Sequence, residues 1–329
     1  MILPLVIVNP ACGQKARRRE LPQILSRVQE ILGGITVRYT TGRGHARVLA
    51  FAGAQEGRPL IVVVGGDGTV SEVADGVLAA SDTTGGEHAR ESGVLAARRP
   101  AAPPMSLIDL GTGGDFRRSL GISPDIKGCL EALARGRERV IDAGRATFVG
   151  PDGSLVQRHF VNVLSAGLGG LVDRYIERMP AWLGGKAGYY LAALAAVATS
   201  REQPLRARIT WQGENREDII PAYLVAVCNG RWFGGGMDVA PMALPDDGRL
   251  EVVTVTAPTK FYLAKRVRGV YTGRHLDEPT VHHFPCQHLE LSLEDPEAER
   301  NYFLDLDGEA VGSLPLSVEL LPRRLRFRV

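Results

Sequence analysis

The short apolar run Leu60–Val64 ends abruptly in Gly65, Gly66, Asp67, Gly68 and Thr69, and a helical pattern carrying Val73, Val77 and Leu78 begins at once. An uninterrupted apolar run of this length reads as a strand buried on both faces, and such a strand needs helices above and below it. The chain is therefore expected to build a doubly wound parallel sheet. Glycines at a strand-to-helix turn permit positive φ and let backbone N–H groups come close to a phosphate, while the following helix N-terminus favours negative charge. In that setting Asp67 can orient a metal-bound water or a phosphate-side hydroxyl, and Thr69 can donate a hydrogen bond. The spacing matches neither a GxGxxG dinucleotide fingerprint nor a P-loop with its lysine, so another phosphate-binding scheme is needed.

The neighbouring segments follow the same logic. Strand Leu5–Val8 runs into Asn9, Pro10 and Gly13, beside Lys15, and the next helix has Leu21, Ile24, Leu25, Val28, Ile31 and Leu32 at helical spacing. A strand near Ile35–Tyr39 and a helix near His45–Ala54 lead back to Leu60. The apolar segment Met105–Leu110 ends in a second glycine turn, Gly111, Thr112, Gly113, Gly114 and Asp115, which leads into Phe116 and Leu120. Polar turns at the carboxyl ends of parallel strands converge on one crevice, where doubly wound sheets bind ligands. Ser81–Pro104 is rich in Gly, Ala, Arg and Pro, has no period, and reads as a long loop.

After Asp142 the period changes to two, in Arg249–Thr256, His288–Leu293 and Tyr302–Leu306, with Gly, Pro and Asp turns between them. Helical segments at Trp182–Thr199 and Lys260–Tyr271 interrupt this β-rich region. With 329 residues, 44% of them hydrophobic, the chain is long enough for two domains. A net charge of +2 is too small to argue for nucleic acid as the general partner, and none is expected. Cys12, Cys129, Cys228 and Cys286 are too scattered for zinc or redox motifs, which fits a reducing cytoplasm. No apolar stretch reaches the roughly 20 residues of a membrane span. The seven histidines show no ligand spacing and read as surface residues.

Taken in order, these motifs resemble the diacylglycerol kinase catalytic family, which includes bacterial soluble lipid kinases, sphingosine kinases and ceramide kinases. The matching residues are Asn9 and Pro10, the GGDGT of Gly65–Thr69, Gly111–Asp115, and the DGE of Asp307–Glu309. Phe160–Gly167, Gly185–Gly188 and Asn229–Pro241 extend the resemblance over nearly the whole chain. Cys12 stands where a small hydroxyl residue is common, and Gly114 where the family usually has Asn.

The resemblance implies an ATP-dependent lipid kinase. Glu309 would be the general base on the lipid hydroxyl, with Asp67 as its catalytic companion. Asn9, Thr40, Gly65, Gly66, Asp67, Gly68, Thr69, Thr112 and Asp115 would bind the nucleotide, with Mg²⁺ bridging its phosphates near Asp67 and Asp115. Asp247, with the carbonyls of Leu244 and Arg249, resembles a structural Mg²⁺ turn; a metal-free hairpin reads equally well from the same residues. The expected plan is an ATP-binding α/β domain at 1–141 and a β-rich, sandwich-like lipid domain at 142–329, whose last strand is free to return to the first. Catalysis is expected in the cleft between them.

The acceptor would be a membrane-presented lipid. Diacylglycerol, monoacylglycerol, a sphingoid base and ceramide all stay open, as does a homodimer. Lys260–Arg274 is a candidate for peripheral membrane contact, against the plainer reading of a solvated helix face. Two rival functions remain: a kinase of a soluble acceptor, like NAD kinases and phosphofructokinases, and a catalytically silent lipid-binding regulator.

Overall fold

The computed structural model describes residues 2–13, 19–83, 102–179, 186–295 and 302–329. Lys15, most of the Ser81–Pro104 segment, and Trp182 to Gly185 lie outside the described residues. The chain divides into two compact units, Met1–Ile141 with Arg323–Val329, and Asp142–Pro322.

In the first unit β1 (Leu5–Val8), β2 (Thr36–Tyr39), β3 (Ile61–Gly65) and β4 (Met105–Asp109) lie parallel in the order β2-β1-β3-β4. Phe327 of the final strand pairs with Met105 and adds a further parallel neighbour. The three inner strands are buried throughout, which explains their unbroken apolar runs, while edge strand β2 is only half-buried. Helices α1 (Leu21–Leu32), α2 (His45–Gln55), α3 (Asp67–Thr83), α4 (Asp115–Leu120) and α5 (Ile126–Arg135) complete the unit. Strand order reverses between β1 and β3, so the turns after those strands flank the switch point, the usual ligand position of such sheets.

Helix α3 is buried along most of its length. A Cβ at Gly76 would lie 2.2 Å from the Arg47 carbonyl oxygen, so glycine there lets α2 approach. The fully buried Asp75 carboxylate pairs with Arg47 at 2.7 Å, tying the same two helices together. Asp67, expected in a turn ahead of the helix, is its first residue: the Val70 N–H already bonds the Gly66 carbonyl at 3.0 Å.

The second unit is antiparallel. Strands β7 (Val163–Gly167), β10 (Leu224–Cys228), β13 (Leu250–Val255), β14 (Val281–Cys286) and β16 (Phe303–Leu306) run in the order β14-β13-β10-β7-β16, and β16 pairs with the long β17 (Glu309–Arg328). From β17 a second path leads through β15 (His288–Leu293) to β8 (Gln203–Trp211) and β9 (Glu214–Ala222), β5 (Glu138–Val149) with β6 (Leu155–Phe160) forms a further hairpin, and β11 (Trp232–Phe233) pairs with β12 (Met237–Asp238) in a small separate sheet. One core joins these paths, with Leu164, Val225, Val252 and Leu304 packed together with Leu205, Leu289 and Leu316. This is the sandwich-like β arrangement expected of two facing sheets. The opposite faces of β10 and β13 are covered too, by Val239, Ala240 and Ala243, so both strands read as continuous apolar runs.

Helix α6 (Leu168–Arg178) packs on β7 and β16, and α7 (Lys186–Thr199) packs against α6. The segment expected as one helix from Lys260 to Tyr271 is a short α8 (Lys260–Arg266) followed by 3₁₀ turns at Val267–Thr272 and Arg274–Asp277. The expectation of surface histidines fails at two positions: His159 and His275 are 2% and 4% exposed. Among the described residues no helix is long and apolar enough to cross a membrane.

Candidate active site

In the first unit the expected nucleotide residues come together through their own contacts. The Asn9 side-chain amide donates to the Thr69 hydroxyl at 3.0 Å, and its carbonyl oxygen accepts the Ala11 N–H at 3.0 Å. The first-strand turn is thus fastened to the first turn of α3. Thr40 follows β2 and donates its N–H to Val8 at 2.8 Å, which sets it beside the same strand end.

The two glycine turns touch directly. A Cβ at Gly111 would stand 2.8 Å from the Gly66 Cα, and one at Gly66 would stand 3.1 Å from the Gly111 Cα, so each backbone uses the space a side chain would take. Asp67 joins the turns by charge. Its carboxylate accepts the N–H groups of Asp115 at 3.2 Å and Phe116 at 3.1 Å, capping α4 from another helix. Gly114 sits in the left-handed region at φ 64°, a conformation that glycine adopts more freely than the Asn common there in the family. Asp115 is itself held by Arg118 at 2.7 Å, while Thr112 is exposed.

Sequence reasoning missed the group beneath these turns. Asp109 is 4% exposed, accepts the Gly111 N–H at 2.8 Å and pairs with buried Arg117 at 3.0 Å. Burial, then the nearby Asp67 charge, pushes its carboxyl above the usual range. Arg117 braces the turn and donates to the Ile122 carbonyl at 2.7 Å. A lone acid inside the apolar run Met105–Leu110 was the available signal. Glu72 on α3 was missed as well; it accepts the N–H groups of Gly44 and Ala46 at 2.8 and 2.9 Å and so caps α2.

In the second unit the DGE motif is the tight connection between β16 and β17. Asp307 has φ 52° and its carboxylate accepts three backbone N–H groups, from Val161, Asn162 and Val163, at 3.2, 3.1 and 2.8 Å. Asp307 therefore anchors the FVN segment. Glu309 is partly exposed and faces Arg158 at 3.6 Å. Two residues before the motif, Asp305 is buried, accepts from Ser165 at 3.2 Å and from the Gly308 N–H at 2.8 Å. Burial, then the neighbouring Asp173 carboxyl, raises its pKa well above the usual range. Further on, Asn229 donates to the carbonyls of Asp142 and Val161 at 3.1 and 2.8 Å, and Arg231 clasps Asp238 with two bonds of 2.5 and 2.6 Å. The NGRWFGGGMDVAP segment is thereby locked to the sheet.

The turn expected to bind a structural metal is tied down by protein groups. The Asp142 carboxylate accepts the Gly248 N–H at 2.8 Å, and the Asp142 N–H donates to Pro245 at 2.6 Å. Asp247 pairs with Arg249 at 2.9 Å, and Arg249 also reaches Glu251 at 3.1 Å, while Leu244 is 53% exposed. Among the described residues no group of three His, Cys, Asp or Glu side chains is placed to hold a metal ion.

Residues 4–146 match the model of the diacylglycerol kinase catalytic domain, and residues 162–329 match that of the YegS C-terminal NAD kinase beta sandwich-like domain. The chain belongs to the diacylglycerol kinase family of the YegS type. Among its relatives a diacylglycerol kinase of Mycobacterium tuberculosis is 27% identical over 322 residues, 97% of this chain and 94% of that one. One from Staphylococcus aureus is 25% identical over 324 residues, 97% of this chain and 90% of that one. A crystal structure from Bacillus anthracis, provisionally assigned as a diacylglycerol kinase, matches with a TM-score of 0.71 and 25% identity, covering 99% of this chain and 97% of that one. Family membership makes the chain a kinase-type enzyme, with ATP implied as the phosphate donor.

Proposed function

We propose that this chain transfers the γ-phosphate of ATP to a hydroxyl of a membrane-presented lipid, diacylglycerol-like or sphingoid. The observation that carries the lipid half of this reading is an apolar cavity of about 100 Å³ within the second unit. Leu168 and Val172 of α6, Leu224 of β10, Val255 of β13 and Leu263 of α8 form much of its wall. It is of the same order as the ~150 Å³ hydrocarbon-lined cavity that admits benzene, so several carbons of a chain fit. Each buried CH₂ favours binding by about 0.8 kcal/mol. A strongly hydrated acceptor such as a sugar phosphate gains little from such a wall.

On this reading the nucleotide phosphates lie on the backbone of Gly65–Thr69 and Gly111–Gly113, where the N-terminus of α3 favours their charge. Asn9, Thr40, Thr69 and Thr112 supply the polar contacts. Glu309 takes the proton from the lipid hydroxyl as its oxygen attacks the γ-phosphorus, the bond from that phosphorus to the β,γ-bridging oxygen breaks and ADP leaves, and Arg158 orients the carboxylate. Asp67 and Asp115 are the carboxylates that would hold the Mg²⁺ carried in with ATP, whose chemistry is to neutralise charge on the transferring phosphoryl group. Asp67 fits this: its two backbone bonds leave lone pairs of a carboxylate unused. At the Leu244–Arg249 turn, the Asp247–Arg249 pair supports the metal-free of the two readings.

Peripheral membrane contact through α8 belongs to the same proposal. Phe261 is 80% exposed between exposed Lys260 and Lys265, while its neighbours Tyr262 and Leu263 face the cavity. An exposed aromatic flanked by lysines suits an anionic lipid surface.

The test is transfer of labelled γ-phosphate from ATP with Mg²⁺ to lipids in mixed micelles, with NAD and sugar phosphates alongside and Glu309→Ala as control. A lipid product that vanishes in the variant is expected. Label on a soluble acceptor only would establish the rival kinase reading, and nucleotide binding with no product would establish a silent regulator.

A further inference from the structure

We infer that the buried pair Asp109–Arg117 replaces, in this chain, the side chain of the asparagine common in the family where Gly114 stands, and that the pair positions the second glycine turn for the nucleotide. This rests on the nucleotide half of the proposed reading.

The turn is fixed by what fills the space beside its glycines. A Cβ at Gly113 would stand 2.7 Å from Asp67 Oδ2. One at Gly114 would stand 2.8 Å from Asp109 Oδ2 and 3.0 Å from both Nε and Nη2 of Arg117. Thr112, the one residue of Gly111–Gly114 that carries a side chain, is exposed. The φ of 64° at Gly114 is no bar to asparagine, which enters the left-handed region more readily than most side chains. Occupied space is the bar. Asp109 and Arg117 are both buried, and neither can swing aside without breaking its own bonds.

Those bonds do the work of a turn asparagine, whose short polar side chain bonds the backbone of its own loop. The Asp109 carboxylate accepts the Gly111 N–H at 2.8 Å through Oδ1 and the Arg117 Nε–H at 3.0 Å through Oδ2. One carboxylate at the end of β4 thus joins the first residue of the turn to α4. Arg117 carries the link past that helix, to the Ile122 carbonyl at 2.7 Å. Residue 114 and the pair therefore exclude one another: either the turn has a side chain there, or Asp109 and Arg117 meet beneath it. Both are positioning residues, acting through the backbone on which the phosphates are proposed to lie.

The experiment measures equilibrium binding of ATP with Mg²⁺ to the full chain, without any acceptor and with melting temperature alongside. Four proteins are compared: the parent, Gly114→Asn, the double variant Asp109→Ala with Arg117→Ala, and the double variant carrying Gly114→Asn as well. Both charges are removed together, because one alone would be left buried and unpaired. The double variant is expected to bind ATP about tenfold more weakly, the worth of the hydrogen bond that Asp109 gives the turn. Gly114→Asn should weaken ATP binding in the parent and strengthen it in the double variant. A pair that merely stabilises the fold would lower the melting temperature and leave the affinity of the folded protein unchanged.

Equal ATP affinity in the parent and the folded double variant, or the same sign for Gly114→Asn in both backgrounds, would overturn the inference. Should the double variant not fold, Arg117→Lys supplies the background, since its ammonium keeps the charge but vacates Nε and Nη2. Gly114→Asn is expected to cost less affinity there than in the parent, and an equal cost would overturn the inference. The reversal of sign without phosphorylation of any lipid would uphold it and remove the lipid-kinase reading; lipid phosphorylation without the reversal would do the opposite. A parent chain that binds no ATP would overturn both.

Discussion

The phosphate turns of the first unit and the cavity of the second are built on opposite plans. Around the turns, polar side chains are already held: Asn9 by Thr69, Asp67 by two N–H groups, and Asp109 by Gly111 and Arg117. Around the cavity the wall is almost wholly apolar. On the proposed reading, a ligand whose phosphates are always the same is met by rigid backbone, since preorganised donors cost no rearrangement at the moment of reaction. On the same reading, a ligand with a variable chain is met by shape. Substitutions should therefore disturb geometry in the first unit and selectivity in the second.

Glu309 should give the largest effect, because it belongs to the second unit yet is proposed to act on the reacting atom. Glu309→Gln is expected to lower kcat by about 10²–10⁴-fold, the usual worth of a positioned base, with the melting temperature unchanged. Single-turnover kinetics at saturating ATP would check this, and a kcat within twofold of the parent would remove Glu309 from the chemistry. Next comes Gly111→Ala, which sets a methyl group against the Gly66 backbone. It is expected to cost roughly 10²-fold in kcat/KM for ATP, the effect of a misplacement near 1 Å. Gly42 has nothing within 4 Å of its would-be Cβ, so Gly42→Ala should behave as the parent in the same assay.

The cavity should answer differently. Val172→Phe fills it from α6 and is expected to raise KM for lipid about tenfold, in line with a poor fit in an apolar pocket, while KM for ATP stays fixed. A matching rise for ATP would mean that the two regions are not independent in the way proposed.

The smallest effect concerns Asp305. Unfolded, an aspartate titrates near pH 3.9 (about); folded, Asp305 titrates well above that. Between the two values the native chain keeps a proton that the unfolded chain releases. Its stability is thus fullest below the unfolded value and is lost as pH rises through the folded one. Asn has no such proton, so Asp305→Asn should melt a few degrees (about 2–4 °C per kcal/mol) above the parent at pH 8, with the gap closing as pH falls. A gap that is constant from pH 5 to 8 would show that burial, not ionisation, sets the difference.

The parallel sheet was legible because its inner strands are buried on both faces and so spell themselves as LVIV, IVVVG and MSLID between glycine turns. The GGDGT and DGE motifs were legible because their residues are adjacent in the chain. The braces were less so. Asp109 with Arg117, Glu72 with the start of α2, and Asp307 with Val161–Val163 join distant or oppositely placed backbone, and local pattern carries no record of that pairing. His275 was hidden for another reason: a histidine's burial depends on what folds over it, and its ring nitrogen meets the carbonyl of Val239, 36 positions earlier in the chain. The cavity itself is lined by interchangeable apolar residues from scattered elements, so no spacing announces it.

The final strand carries a consequence for how the chain is made. Its last residues, Arg323–Val329, belong to the first unit, while Asp142–Pro322 lie between them and the rest of that unit. On the ribosome, the first sheet must wait without the neighbour that pairs with β4 until the whole second unit has been synthesised. At 5–20 residues per second that delay is on the order of ten to forty seconds. Throughout it, the β4 edge at Met105 lacks the partner that covers it in the finished protein. An open, apolar strand edge is where nascent chains pair wrongly, so the interval in which this protein most needs a chaperone is written into the order of its strands.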